Sequence, residues 1–303
     1  MREDCPVVSV CIITYNHEHF IADCIEGVLM QQVDFPYEIV IGEDISTDGT
    51  REVCKTYAAK YPGIIRLLER DENLGMKKNW VETIRACQGR YVALCEGDDY
   101  WIDPNKLQKQ VDLMEQHKDY VLSFTNTDVT IEVEETASNA GRGLEKVQEN
   151  RVYTGVEILE KWLIPTPSVL FRRNALTKPY FELAVNEYFI YADIVLYLFL
   201  SDRGYLYGMT DTTVMYRRHE GGVMNINRVI QFDRRYYSHL SEIVKQFGAK
   251  VKTPKIKRAL SRLALSLALN NLSEKKYFVG IKLLFASIGY NKGPFLKYLK
   301  SKV

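Results

Sequence analysis

The sequence predicts an α/β protein with a mostly parallel sheet, helices on both faces of the sheet, and an all-helical C-terminal region. β-branched apolar runs alternate with segments of helical apolar spacing up to about residue 131. Strands separated by single helices pair in parallel, and the crossover helices cover both faces of the sheet. After about residue 225 only helical spacing remains. We therefore place an α/β domain at residues 1–225 and a helical region at 226–303.

The elements of the first half follow one another in a regular order. Strands are predicted at residues 7–14, 37–43, 64–69, 90–96 and 120–131. Helices are predicted at residues 19–32, 50–61, 76–87 and 105–117. Pro62-Gly63 ends the second helix, and Asp103-Pro104 is a cap followed by proline, which predicts the start of the fourth.

The middle of the chain is less regular. Residues 135–150 are polar and predict a loop. Helical spacing returns near residues 155–163 and 186–201, and extended segments are expected near 168–172 and 212–217.

Charge is distributed unevenly along a chain of net charge +1. Residues 250–303 hold 13 Lys and Arg against one acidic residue, Glu274, so the remainder is acidic. Either these basic helices dock on the acidic domain, or they present a basic amphipathic face to anionic lipid. A nucleic-acid partner is not expected, because no known module occurs and the larger part of the chain is acidic.

The expected compartment is the cytoplasm. No apolar run reaches the ~18 residues of a membrane span, and the N-terminus lacks the features of a signal peptide. The six cysteines show no C-x-x-C pair, which favours buried free thiols in a reducing environment.

Polar residues follow three of the predicted strands at the point where each ends. They are Thr14-Tyr15-Asn16, Glu43-Asp44 and Glu96-Gly97-Asp98-Asp99. Ligands of open α/β sheets bind at this edge. Separately, each group has a structural interpretation, as a strand end, a helix cap or a solvated turn. Together they predict a site, and the three clustered carboxylates suit a hard divalent cation such as Mg²⁺ or Mn²⁺. The P-loop and dinucleotide motifs are absent from the sequence.

Four blocks in order resemble the family 2 glycosyltransferases of the GT-A fold, in particular those of bacterial polysaccharide synthesis. The blocks are "VSVCIITYNHEHFIADCIEGVLMQQ", "YEIVIGEDISTDGT", "NLGMKKNW" and "YVALCEGDDYW", and the resemblance covers residues 7–222. It implies a Rossmann-like catalytic domain that binds a nucleotide sugar. Thr14, Tyr15 and Asn16 would line a uridine pocket, and Glu43 or Asp44 would accept from the base N3–H. The segment from Asn73 to Lys78 would lie near the ribose and phosphates.

The resemblance also implies a metal site and a base. The family's Asp-x-Asp motif reads Glu96-Gly97-Asp98 here, which implies Asp98 as the metal ligand with help from Asp99, and Glu96 near the donor. "YRRHEGG" is similar to the family's Tyr-Arg-x-His element. That similarity implies His219 as a third ligand of metal or phosphate, and Arg217 or Arg218 as a partner of the diphosphate.

Asp193 heads an apolar helix, which is consistent with a structural cap. By resemblance it would be the base, although Ala192 stands where the family often has an acid or a glycine. "TPSVLFRR" (166–173) is similar to the floor of the family's acceptor pocket.

The resemblance implies a metal-dependent, inverting, hexosyltransferase-type enzyme that uses a nucleoside-diphosphate sugar, expected to be a UDP-sugar. The acceptor implied by the family is a saccharide or lipid-linked saccharide of a cell-surface polysaccharide, reached at the inner face of the membrane. Two alternatives remain: a non-catalytic nucleotide-sugar sensor or scaffold, and a sugar-1-phosphate nucleotidyltransferase.

Overall fold

The computed structural model describes residues 5–131, 145–161, 163–219, 221–222 and 230–301. Most of the loop predicted at 135–150 lies outside these residues, as does the predicted boundary between residues 225 and 226. Among the described helices, none combines the length and the apolar character needed to cross a membrane.

The described strands form one mixed sheet. In chain order they are β1 (Val8–Thr14), β2 (Tyr37–Glu43), β3 (Ile65–Leu67), β4 (Tyr91–Glu96), β5 (Tyr100–Trp101), β6 (Tyr120–Ile131), β7 (Arg151–Tyr153), β8 (Leu170–Arg172) and β9 (Tyr205–Arg218). Their order across the sheet is β3-β2-β1-β4-β8-β6-β9-β5, and β7 pairs with β9. The β3-β2-β1-β4 half is parallel, as is the pair β6-β9. The short strands β5, β7 and β8 pair antiparallel.

The described helices alternate with the strands and then follow one another. They are α1 (Ile21–Leu29), α2 (Thr50–Lys60), α3 (Met76–Ala86), α4 (Lys106–Gln116), α5 (Gly155–Glu160), α6 (Lys178–Ala184), α7 (Ala192–Leu200), α8 (Ile230–Phe247), α9 (Pro254–Ser273), α10 (Tyr277–Tyr290) and α11 (Lys292–Lys300). The predicted α/β class and the helical C-terminal region are confirmed.

The core lies around the parallel half of the sheet. Successive residues of β1, β2 and β4 are buried, including Val10, Cys11 and Ile12 on β1. Burial of consecutive residues is typical of a parallel strand covered on both faces. Alternate residues of these strands pack with α1, whose Ile21 and Ile25 belong to the same cluster. This buried half of the sheet carries the polar strand ends.

Several elements differ from the sequence prediction. Helix α4 begins at Lys106, and the Asp103 carboxylate accepts from the Asn105 N–H at 2.8 Å just before it. The helix expected at 186–201 is confined to residues 192–200, and residues 178–184 form an unpredicted helix. Strands β5 and β7 were also unpredicted; they span two and three residues, and pairing with β9 defines them as strands.

The chain divides into two compact units. The first comprises Met1–Val185 and Leu196–Gly222, and the second Asn186–Val195 and Val223–Val303. The first unit contains the sheet. In the second unit, α9 packs against α8, α10 and α11.

Candidate functional site

The polar residues at the ends of β1, β2 and β4 meet because these strands are in register. Thr14 pairs with Glu43 across the β1-β2 ladder, and Ile13 pairs with Glu96 across β1-β4. The Gly97 N–H donates to the Ile13 carbonyl at 3.0 Å and continues the ladder by one residue. The carboxyl ends of three parallel strands therefore present their side chains at one edge, as expected for an open α/β sheet.

The loop after β1 is bonded to the loop after β2. Asn16 has a positive φ of 56°, which asparagine adopts more readily than most residues. Its side-chain Oδ1 accepts from the Thr47 N–H at 2.9 Å, and its own N–H donates to Ser46 Oγ at 3.0 Å. The next residue, His17, donates its N–H to Thr50 Oγ1 at 2.7 Å. These contacts fix the position of His17 relative to the strand ends.

The acidic pair after β2 is buried and bonded. Glu43 Oε1 accepts from the Ser46 N–H at 2.6 Å, and Oε2 lies 3.8 Å from Arg51 Nε. Asp44 Oδ1 accepts from the Leu74 N–H at 2.7 Å, and Asn73 Nδ2 donates to the Asp44 carbonyl at 2.6 Å. The structure thus brings Asn73 against the acidic pair, although the two are distant in sequence.

Asp98 lies between two imidazoles. Its Oδ2 is 3.1 Å from His219 Nε2 and 3.9 Å from His17 Nε2. One ligand atom from each of these residues fits within a group whose members are all within 4.8 Å of one another. Two of the three, Asp98 and His219, were predicted as metal ligands. His17 was missed.

Electrostatics favours the metal-binding forms of His17 and Asp98. Burial lowers the pKa of His17 despite the opposing effect of Asp98, and so favours the neutral imidazole. Burial raises the pKa of Asp98, but the hydrogen bond with His219 and the proximity of His17 and His219 outweigh it and hold the pKa below its usual range. A neutral imidazole and an ionised carboxylate are the forms that bind metal.

Thr14 and Gly97 control the orientation of His17. Thr14 Oγ1 lies 3.2 Å from His17 Nδ1. If Nδ1 carries the proton, Nε2 presents its lone pair toward Asp98. A Cβ added to Gly97 would lie 2.5 Å from Thr14 Oγ1 and 3.0 Å from His17 Nδ1. The glycine between Glu96 and Asp98 therefore leaves room for the His17 side chain.

Asp99 and Arg217 are engaged in holding β9. Asp99 is buried, and its Oδ1 accepts from the Arg217 N–H at 2.7 Å. Burial and the charges of Asp98 and Glu96 raise the pKa of Asp99 well above its usual range. Arg217 donates from Nη2 to Asp23 at 2.8 Å. Its guanidinium also lies over two aromatic rings, those of Phe20 and Tyr100, each at 4.8 Å. The structure thus places Asp99 against the β9 backbone and outside the three-residue cluster.

Three other predicted residues lie in less enclosed positions. Tyr15 is 44% exposed in the loop after β1. Lys78 is exposed on the first turn of α3. Asp193 lies in the first turn of α7, where its Oδ1 accepts from the Ile194 N–H at 2.8 Å, and it belongs to the second unit of the chain. Its role as the base stays a prediction.

Residues 9–176 match the sequence model of Glycosyl transferase family 2, and the chain belongs to that family. It is 33% identical over 216 residues to the uncharacterised protein Rv1520 of Mycobacterium tuberculosis, and the match covers 71% of this chain. The chain spans 60% of the length of that curated relative. The family predicted from the four sequence blocks is confirmed.

Solved structures of low sequence identity share the fold. S. aureus TarS 1-349, crystallised with UDP-GlcNAc, superposes with a TM-score of 0.63 at 18% identity, covering 94% of this chain and 92% of that one. The mannosyltransferase PcManGT of Pyrobaculum calidifontis, in complex with GDP-Man and Mn²⁺, gives a TM-score of 0.58 at 17% identity, covering 98% and 79%. The predicted GT-A fold is confirmed.

Proposed function

We propose that the protein transfers a hexose from a nucleoside-diphosphate sugar, a UDP-sugar, to a saccharide or lipid-linked saccharide during synthesis of a cell-surface polysaccharide. One observation carries this proposal: Asp98 lies between His17 and His219 at the same sheet edge as the buried pair Glu43-Asp44. A carboxylate that can accept from the base N3–H, beside a site for a cation that can contact the diphosphate, suits a nucleotide-sugar donor. Family membership and the nucleotide sugars bound by the two structural relatives support it.

In this proposal the donor lies against the loops after β1 and β2. Tyr15 offers an exposed ring for stacking on the base, and Thr14 and Asn16 form the adjoining wall. Both carboxylate oxygens of Glu43 are engaged by Ser46 and Arg51, so we assign the base N3–H to Asp44. The ribose and phosphates then extend past Asn73 and Lys78 toward Glu96.

The described residues fit a divalent cation. Two atoms that each lie about 2.1 Å from one ion can be at most about 4.2 Å apart. The Asp98–His219 and Asp98–His17 separations of 3.1 and 3.9 Å are within this limit. We propose Asp98, His219 and His17 as the ligands. Asp99, predicted from sequence as a further ligand, is instead assigned the role of positioning β9.

The three proposed metal ligands favour Mn²⁺ over Mg²⁺. Mg²⁺ prefers oxygen ligands throughout, whereas first-row transition ions accept imidazole nitrogen. Two of the three proposed ligands are imidazoles, so His17, the residue missed from sequence, would strengthen the preference that His219 already gives.

The reaction we propose is a single displacement with inversion. The acceptor oxygen forms a bond to C1 of the sugar while the bond from C1 to the diphosphate oxygen breaks, and Asp193 takes the acceptor's hydroxyl proton. A bound cation supplies positive charge for the leaving diphosphate. Arg217 or Arg218 is the candidate for additional charge, because a guanidinium suits phosphate oxygens.

The first experiment is calorimetry of UDP binding with and without Mn²⁺. We expect binding to tighten at least tenfold with Mn²⁺, and Asp98→Ala to remove this gain while leaving the fold intact. Asp112→Ala, an exposed aspartate on α4, is the matched control. An unchanged Mn²⁺-dependent affinity in Asp98→Ala would contradict the metal assignment.

A competition between Mn²⁺ and Mg²⁺ tests the role of His17. Electron paramagnetic resonance of free Mn²⁺ reports how readily Mg²⁺ displaces the bound ion. His17→Gln should make displacement easier by several-fold, whereas His117→Gln, an exposed histidine at the end of α4, should not. Equal displacement in all three proteins would remove His17 from the ligand set.

Family membership and turnover distinguish the proposed transferase from the two alternative functions. A sugar-1-phosphate nucleotidyltransferase is disfavoured by family membership. A non-catalytic sensor would bind donor as the enzyme does but would not turn it over.

We also propose that the enzyme works in the cytoplasm at the inner face of a membrane, where a lipid-linked acceptor would be reached.

A further inference from the structure

Helix α10 carries its large apolar side chains on the outside. Phe278 is 84% exposed, Phe285 is 71% exposed and Ile281 is 50% exposed. At 3.6 residues per turn these three positions fall on one stripe of the helix. The buried positions of the same helix are Gly280 and Ser287. Its polarity is thus the reverse of that of an ordinary surface helix.

The contact with α9 fixes this orientation. A Cβ added to Gly280 would lie 2.6 Å from Leu272 Cγ and 3.2 Å from the Ala268 carbonyl oxygen. Ser287 Oγ donates to the Ser261 carbonyl at 2.9 Å. Small residues therefore let α10 approach α9 closely, and rotating the phenylalanines inward would bring large side chains into that contact.

Helix α11 and a set of exposed lysines extend the apolar stripe of α10. Leu296 and Leu299 on α11 are 52% and 45% exposed. Exposed lysines accompany these apolar side chains at positions 275, 276, 282, 292, 297 and 300. The one acidic residue of this region, Glu274, pairs with Lys276 at 2.7 Å. We call these apolar side chains and lysines the α10–α11 surface.

We propose that the α10–α11 surface binds an anionic lipid bilayer, with α10 lying in the plane of the membrane. Phe278, Ile281 and Phe285 would enter the boundary between headgroups and acyl chains, and the lysines would contact lipid phosphates. Helix α10 has 14 residues, fewer than the ~20 that a span requires. Charge argues against a second copy of the chain, because two such surfaces would bring lysines against lysines.

Flotation of the full chain with vesicles tests the proposal. The vesicles contain phosphatidylcholine either alone or with about 30% phosphatidylglycerol. We expect at least tenfold stronger partitioning to the vesicles that contain phosphatidylglycerol. This binding should weaken as the salt concentration rises, because salt screens the lysine charges. The double variant Phe278→Ser/Phe285→Ser should lose at least tenfold in partitioning. Val185→Ser, which alters a 42% exposed apolar residue of the first unit, should not.

The proposal is overturned if the double variant floats like the wild type, or if the wild type ignores anionic vesicles. It is also overturned if light scattering finds a dimer that the double variant dissociates, with no vesicle binding by the wild type. Circular dichroism checks that the variants are folded. No nucleotide is needed, so the result is independent of the proposed transferase activity.

Discussion

At the scale of single residues, the neighbours of position 97 explain why it is a glycine. A Cβ there would lie 2.5 Å from Thr14 Oγ1 and 3.0 Å from His17 Nδ1. Both neighbours are held: Thr14 by the β1 ladder, and His17 by its bond to Thr50. A larger residue at position 97 must therefore displace either His17 or the turn that carries Asp98.

We predict that Gly97→Ala weakens Mn²⁺-dependent UDP binding by about tenfold or more, because His17 moves away from Asp98. Overpacking of this kind typically costs about 1–3 kcal/mol of stability, so the protein should still fold. Calorimetry measures the affinity and urea unfolding the stability. Gly63→Ala is the control, since a Cβ there meets nothing within 4 Å. Equal affinities in the two variants would contradict the steric explanation.

The sequence predicts which strand ends are polar but not how their loops fold. Thr14, Glu43 and Glu96 could be grouped because parallel strands in register end at one edge. His17 could not, since its approach to Asp98 depends on bonds from its loop to Ser46, Thr47 and Thr50. The only signal was a histidine directly after a polar strand end. The hydrogen bond from the Arg217 N–H to Asp99 could not be predicted either, because it also depends on how distant segments fold together.

At the scale of elements, a buried network joins α4 to the turn before β8. Lys106 Nζ donates to Gln110 Oε1 at 2.7 Å, and Gln110 Nε2 donates to the Ser168 carbonyl at 3.0 Å. Trp101 lies beneath the ammonium at 4.2 Å and donates from Nε1 to the Pro167 carbonyl at 2.8 Å. This network holds the segment that resembles the acceptor floor.

Lys106 should make the free energy of unfolding of the protein depend on pH. Burial lowers the pKa of Lys106 to about 7 in the folded protein, from 10.5. Between these values the unfolded chain binds more protons, so the Lys106 contribution to stability rises with pH. We predict that the wild type gains on the order of 3 kcal/mol over Lys106→Met between pH 7 and 10. Urea unfolding of both proteins across this range measures it. Parallel pH profiles would show that Lys106 remains charged when buried.

Elements within an apolar run or a helical period could be predicted, even the short β3, β8 and α5. β1, β2, β4 and α1 to α3 follow from local periodicity. β5, β7 and α6 contain two to seven residues and lie outside the segments in which a period could be read. Pairing with β9 defines β5 and β7 as strands, and that pairing is a tertiary contact.

At the scale of the molecule, the proposal assigns donor and cation binding to one set of residues and proton transfer to another, Asp193. The proposal therefore requires that binding and turnover respond to different residues. Asp98 would affect both, whereas Asp193 would affect turnover alone.

We predict that Asp193→Asn lowers turnover of a UDP-sugar at least a thousandfold and leaves Mn²⁺-dependent UDP affinity within about twofold, because an amide cannot take the acceptor's proton while the donor site is unaltered. Product formation by mass spectrometry and calorimetry on the same sample measure both quantities. Glu187→Gln, an exposed acid of the same unit six positions earlier, should change neither. A loss of UDP affinity in Asp193→Asn would assign Asp193 to donor binding. Full turnover would show that the base is another residue, and absence of turnover in the wild type with intact UDP binding would favour a sensor.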